Sequence, residues 1–196
     1  RRGGIRTLDV LEAIQTRRSV NRMTDDAPPR ADIEELIQAA VMAPNHGFTQ
    51  PWGFHVVTGD ERGKISDQLA EANAARVDTS TPEGKQRVNR ARNLFRQAPV
   101  TIVVTSTRSE DKENEQEDFA ATWMAVQNLT LAAWGKGIAT KLRTPPALRS
   151  PVLRKALGLD DDQHILGLLA VGYPGQNAVP PPRERDADTT TWLGWS

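Results

Sequence analysis

The chain has 196 residues, enough for a single domain that buries about 70% of its unfolded surface. Its 25 basic and 25 acidic residues cancel, which argues against an extended electrostatic footprint for nucleic acid or an anionic membrane. It contains no cysteine, so disulfides, thiolate nucleophiles and cysteine-based zinc or iron–sulfur sites are excluded.

Arg1-Arg2-Gly3-Gly4 is basic, but no apolar stretch of the kind a secretory signal needs follows it. The longest apolar run, 165–171, is too short to span a bilayer, and a cytoplasmic location is expected. Leu8, Leu11 and Ile14 recur at helical spacing, with Thr7 as the expected N-cap. After Pro28-Pro29, the residues Ile33, Leu36, Ile37, Ala40 and Val41 form an i, i+3, i+4, i+7, i+8 stripe, and Pro44 follows its end.

Residues 54–58 read as a strand closed by Gly59-Asp60, and 61–96 as two polar helices parted by 79–82. Residues 100–105, β-branched throughout and bounded by Pro99, read as a buried strand. The charged run 109–118 reads as a solvated loop and helix start. Phe119, Trp123, Val126, Thr130 and Ala133 then line one face of a long helix ending at Gly135 or Gly137. A short strand near 139–142, a helix opened by Ser150-Pro151 and a strand over 164–171 complete the elements. The last stretch, with Pro174, Pro180, Pro181, Pro182, Trp192 and Trp195, reads as an extended arm whose tryptophans need a surface to bury against, such as a partner subunit. Helices and strands mix without strict βαβ alternation, which points to an α+β sandwich.

Four segments can carry chemistry. Arg17-Arg18-Ser19 groups two guanidiniums and a hydroxyl that suit a phosphate, though taken alone the segment better fits a solvated basic helix end facing the macrodipole. The loop Pro44-Asn45-His46-Gly47-Phe48-Thr49-Gln50-Pro51-Trp52 can offer several hydrogen-bonding groups to a heteroaromatic ring, or serve as a tight connector with Trp52 plugging the core. Leu142-Arg143-Thr144 places an arginine at a strand end beside a hydroxyl, fit for an anion at a sheet edge or simply for solvent. Gly172-Tyr173-Pro174-Gly175, with Arg183 and Arg185 beyond it, is by itself a turn and a charged tail. His46, His55 and His164 have no carboxylate at metal-ligand spacing, so no metal site is expected. The chain has no P-loop, no G-x-G-x-x-G and no G-x-S-x-G elbow.

The order and spacing of these segments, over about residues 8 to 185, resemble the nitroreductase family. The R-R-S motif at 17–19, an A-P-x-x-x-x-x-Q-P-W loop at 43–52 and a G-x-P motif before a C-terminal arm carry the likeness. The small, single-domain members are the most similar. The resemblance implies one domain over 1–196, an α+β three-layer sandwich with a mixed or antiparallel central sheet flanked by helices, and an intertwined homodimer. An arm over about 176–196 would reach toward the partner.

It further implies one FMN per subunit at the dimer interface. Arg17, Arg18 and Ser19 would hold its phosphate and ribityl chain, with Leu142, Arg143 and Thr144 approaching from the same subunit. Met42, His46 and Gln50 would reach the flavin bound mainly by the partner. Ala132, Ala133, Trp134, Gly135, Lys136 and Gly137 correspond to a segment attributed to pyridine-nucleotide binding. Departures are visible: Asn21 stands where many relatives carry a cation near flavin N1 and O2, Met42 where some carry arginine, and Leu142 where a tryptophan is usual. The implied activity is hydride transfer from NAD(P)H through flavin N5 to a nitroaromatic- or quinone-like acceptor by ping-pong turnover, with no protein acid, base or nucleophile. Alternatives are flavin destruction or dehalogenation on the same fold, or a flavin-binding dimer without catalysis. No nucleic-acid or membrane partner is expected.

Overall fold

The computed structural model describes residues 9–175 and 191–194. Asp9 opens α1 (Val10–Thr16), its carboxylate accepting from the N–H of Glu12 at 2.9 Å. Thr7 lies outside the described residues. The expected stripe of α2 (Arg30–Ala40) is buried at Ile33, Leu36 and Ala40, while Val41 caps the helix and is exposed. β1 (Trp52–Thr58) begins two residues earlier than its apolar pattern suggests. The polar region forms α3 (Asp60–Ala74) and α4 (Pro82–Arg92). Thr81 caps α4 through the N–H of Gly84, and Pro82 occupies the first turn, where no donor is needed. β2 (Val100–Thr107), α5 (Lys112–Gly135), β3 (Ala139–Arg143), α6 (Pro151–Ala156) and β4 (Gln163–Gly172) follow, with short 3₁₀ turns at His46–Phe48 and Pro146–Arg149.

The four strands form one sheet in the order β1-β2-β4-β3, with every neighbouring pair antiparallel. The only parallel pairing among the described residues is the isolated bridge Ser19–Thr140. Side-chain alternation across this sheet builds two cores. Ile102, Leu169 and Val171 pack with Leu36 of α2 and Leu129 of α5. Val103 and Leu168 pack on the other face with Leu69 of α3, Val88 of α4 and Leu153 of α6. The result is a three-layer α+β sandwich.

α5 is buried on more than one side. Its deepest residues are Ala121, Thr122, Ala125, Leu129 and Ala133, while Phe119 and Trp123 are only half-buried. It ends in a Schellman motif: Ile138 N–H donates to Ala133 O and Gly137 N–H to Trp134 O, with Gly137 at φ 71°.

The chain leaving α1 forms a strap across the ends of β3 and β4. Val20 is buried and its N–H donates to Thr140 O at 3.0 Å. Thr24 N–H donates to Tyr173 O, and Gly175 N–H to Arg22 O. The G-Y-P-G turn thus clamps the residues that follow R-R-S. Gly172 is required there, because a Cβ would stand 2.8 Å from Pro99 Cδ and 3.2 Å from Met23 Cβ.

Candidate functional site

Where the strap meets β3, a pocket of about 260 Å³ opens between the end of α1, β3 and the middle of α5. Arg17 and Ser19 line one wall, Thr140 and Leu142 the floor, and Trp123, Val126, Gln127 and Thr130 the side. The extended backbone of Arg17 (φ −55°, ψ 133°) turns the chain out of the helix and along the sheet edge. The two arginines have different duties. Arg18 Nη1 donates to Gln15 O at 2.7 Å and to Arg17 O at 2.8 Å, closing the carbonyl end of α1, whereas Arg17 lines the pocket.

The pleat of β3 sorts its side chains onto two faces. Thr140 and Leu142 lie opposite Val171 and Leu169 and share their α2/α5 face. Lys141 and Arg143 lie opposite Ala170 and Leu168 and belong to the α3/α4/α6 face. Leu142 meets Trp123 over Gly167, where a Cβ would be 3.0 Å from Leu142 Cδ1 and 3.2 Å from Trp123 Cη2. Trp123 of α5 thus lines the pocket beside Leu142.

The strand end carries two cations and, among the described residues, no counter-ion. Arg143 Nε is buried without a hydrogen-bond acceptor, and burial lowers the guanidinium pKa. Burial, reinforced by the charge of Arg143, also lowers the Lys141 pKa. Lys141 Nζ donates to Asn21 Oδ1 at 2.6 Å. The position that lacks a charge at Asn21 is thus in contact with an ammonium from a different element.

The loop 43–52 is shaped by several tethers. Thr49 Oγ1 donates to the buried Asp118 carboxylate at 2.6 Å, Gln50 N–H donates to Asn45 Oδ1 at 3.1 Å, and His46 Nδ1 stands 3.9 Å from Glu117. Gly47, Phe48 and Gln50 have φ of 59°, 54° and 45°. The left-handed conformation costs a non-glycine residue about 1–2 kcal/mol. The loop presents Met42 (78% exposed), Phe48 (87% exposed), His46 and Gln50 outward, and none of them lines the pocket of their own chain.

Comparison with known proteins agrees with this architecture. The sequence profile of the Nitroreductase family matches residues 14–173. The chain belongs to the nitroreductase family. It is 30% identical over 166 residues to the Bacillus subtilis protein named "Putative NAD(P)H nitroreductase YfhC", covering 84% of each chain. A nitroreductase-like family protein from Bacillus cereus superimposes with a TM-score of 0.79 at 26% identity, over 96% of this chain and 97% of that one. The FMN and NADPH-dependent nitroreductase NfnB of a Sphigopyxis strain gives a TM-score of 0.76 at 25% identity, over 96% of this chain and all of that one.

Within this nitroreductase fold, the segment 132–137 is engaged in packing. Ala133 is fully buried, and Trp134 Nε1 donates to Thr16 Oγ1 at 2.9 Å, holding α1 to α5. Lys136 reaches Asp32 at 2.7 Å and Glu35 at 2.5 Å, and these carboxylates raise its pKa. Trp123, Gln127, Thr130, Thr140 and Lys141 joined the site only in three dimensions. Trp123 and Thr130 were legible as an α5 face, and strand alternation hinted that Thr140 accompanies Leu142. The Lys141–Asn21 contact spans 120 residues and had no sequence signal. Arg183 and Arg185, and the expected arm apart from 191–194, lie outside the described residues. A larger groove of about 500 Å³ between α3 and α6, lined by Gln68, Glu71, Val152 and Lys155, brings together none of the expected site residues.

Proposed function

We propose that this nitroreductase-family chain is an FMN-dependent oxidoreductase, taking hydride from NAD(P)H and reducing a small nitroaromatic- or quinone-like acceptor by ping-pong turnover. The observation that carries the reading is the pair of cations at the end of β3, Lys141 and Arg143, neither of which is paired with a carboxylate among the described residues. Arg143 has a buried Nε without an acceptor, beside the half-buried Lys141, and Arg17 lines the adjoining pocket. Two neighbouring cations taken partly out of water need an anion to offset the desolvation.

The residues fit FMN. A phosphate suits the guanidinium of Arg17 and the hydroxyl of Ser19, and a planar ring suits the wall of Trp123, Val126 and Leu142. When bound, FMN supplies the redox chemistry by accepting hydride at N5 and returning the electrons to the second substrate. The chain's own residues bind and position. Arg17, Ser19 and the N-terminal strap would hold the phosphate end and Leu142 the ring, with Arg143 and Thr144 meeting the flavin at the end of β3. Lys141, held by Asn21 at the edge of β3, would add positive charge near the flavin and so favour its anionic reduced form. Trp123 and Val126 exclude water from one side. No side chain is assigned as acid, base or nucleophile.

In this reading the working unit is a cytoplasmic homodimer. The apolar residues of α1 point outward, with Val10 71% and Leu11 68% exposed, and only Ala13 of the helix is buried. An apolar face of that kind suits a subunit contact. Met42, His46 and Gln50, displayed on the shaped loop, would then reach the partner's flavin. No helix among the described residues is long and apolar enough to cross a membrane.

The test is direct. Purified protein supplied with FMN should retain it and turn yellow, bleach anaerobically with NAD(P)H, and recover its colour on adding nitrofurazone or menadione. A colourless protein that takes up no FMN contradicts the cofactor assignment. A bound flavin that NAD(P)H cannot reduce contradicts the reductase assignment alone.

A further inference from the structure

We infer that the groove between α3, α4 and the turn after β3 binds the phosphate-bearing adenosine half of NADPH, and so selects NADPH over NADH. This rests on the reductase reading above, which leaves the donor's identity open. Two adjoining clefts of about 190 and 210 Å³ share Asn73, Arg87, Pro146 and Ala147, and together form one groove. Arg87 and Arg90 enter it from α4, Arg76 from the residues just past α3, and Arg149 from the 3₁₀ turn Pro146–Arg149. No aspartate or glutamate lines either cleft.

The same stretch of chain also uses its cations in another way. Arg96, just beyond α4, is paired with Asp67 at 2.8 Å. The four groove arginines come from three separate segments and, among the described residues, have no side-chain hydrogen bond or ion pair. Like charges gathered in a concave site repel one another and focus a positive potential onto whatever enters. Guanidinium forks suit phosphate oxygens, which they bind bidentately.

The groove is not uniformly polar. Ala91, Leu94, Pro145 and Pro146 give it an apolar ledge suited to the flat face of a purine. Asn73 Nδ2 is committed to Leu69 O at 2.8 Å, which leaves the amide oxygen as an acceptor.

Its position links it to the candidate flavin site. Pro145 and Pro146 directly follow Thr144, so the groove begins where the ring-lining segment stops. Lys141 and Arg143 face the same side of the sheet as α3 and α4. The ring wall at Leu142 lies on the α2/α5 face, so a donor reaching these arginines would carry its phosphates around the end of β3, past Arg143 and Thr144. A pyrophosphate alone leaves part of this charge unmatched, and the 2′-phosphate that distinguishes NADPH from NADH supplies the rest. The competing segment 132–137 offers one cation, Lys136, already held by two carboxylates.

The experiment is calorimetric titration of adenosine 2′,5′-bisphosphate and of 5′-AMP into the FMN-loaded protein and into its Arg87→Gln/Arg90→Gln variant. Both positions are exposed, and circular dichroism checks that the variant is folded. The bisphosphate should bind the wild type at least about tenfold more tightly than 5′-AMP, the order expected of added charge-assisted hydrogen bonds. The variant should lose that advantage, and its KM for NADPH should rise by a larger factor than its KM for NADH, while the FMN affinity stays the same. Equal affinity for the two nucleotides, or bisphosphate binding unchanged in the variant, overturns the inference. So does inorganic pyrophosphate competing as well as the bisphosphate at matched ionic strength, which would mark a nonspecific anion patch. A protein that takes up no FMN would contradict the reductase reading, while the same titration on the flavin-free chain still decides whether the groove binds the nucleotide.

Discussion

Two lysines near opposite ends of the short segment 136–141 have opposite surroundings. Lys136, capping α5, sits between Asp32 and Glu35 of α2, and its pKa is raised. Lys141, on β3, is held by the neutral Asn21 next to Arg143, and its pKa is lowered by burial and by that second cation. The first charge is spent on joining two helices. The second has no counter-ion among the described residues and stands beside Arg143, whose buried Nε has no acceptor. Structural ion pairs are completed within the chain, whereas binding charges wait for a partner from outside, and this contrast locates the flavin site at β3 in the proposed reading.

The largest effect expected from this contrast is on flavin binding. Arg143→Ala or Arg17→Ala should each weaken FMN retention by about 1.5–3 kcal/mol, the worth of a charge-assisted hydrogen bond, with the fold intact by circular dichroism. Lys136→Met should leave FMN affinity unchanged. Thr49→Val strips the buried Asp118 carboxylate of its partner and should cost about 1–3 kcal/mol in urea denaturation while loosening the loop 43–52.

Lys141→Met should lower the two-electron midpoint potential of bound FMN by about 30 mV, equivalent to ~1.4 kcal/mol, because the anionic reduced ring loses a nearby charge. A potential unchanged in this variant would mean that Asn21 holds the ammonium away from the ring.

The smallest effects separate the two lysines by pH. Lys136 has a raised folded pKa, so its stabilising contribution is complete below the ordinary lysine value and is lost as pH rises through the raised one. Lys141 has a lowered folded pKa, so the cost of burying its charge is present at neutral pH and is relieved as pH rises through the lowered value. Denaturation of the flavin-free protein across pH 8–11 (a range spanning roughly two units below the usual lysine pKa) should show the Lys136→Met difference shrinking only at its alkaline end. The Lys141→Met difference should change earlier and with the opposite sign. At neutral pH, Lys136→Met should cost no more than about 1 kcal/mol, since its pairs are solvent-screened.

The parts of the fold that were legible in the sequence are those fixed by local pattern. The stripe of α2 and the buried strand β2 follow from periodicity, whereas α4 begins at Pro82, inside the break read at 79–82, because Thr81 caps it. Boundaries were less so: Trp52 and Gly53 extend β1 because they pair with Ser106 and Thr105, a partner that a single strand's pattern does not reveal. α5 was read as one-faced because Phe119 and Trp123 are the large residues, yet the deepest packing uses small ones such as Ala125.

At the site, R-R-S and the β3 end could be named, but their division of labour could not. Arg18 turning back onto α1 carbonyls depends on the path the chain takes after Thr16. The sorting of Leu142 and Arg143 onto opposite faces depends on the pairing register with β4. The contact of Lys141 with Asn21 and the clamp of G-Y-P-G on the strap are long-range and leave no local mark.

The measurement that bears most directly on the central claim is a fluorescence titration of FMN into the flavin-free wild type, Arg143→Ala and Lys136→Met. The account predicts saturation at one FMN per chain for the wild type, the same affinity for Lys136→Met, and at least about tenfold weaker binding for Arg143→Ala. Equal affinity across all three, or no saturable binding by the wild type, would contradict it.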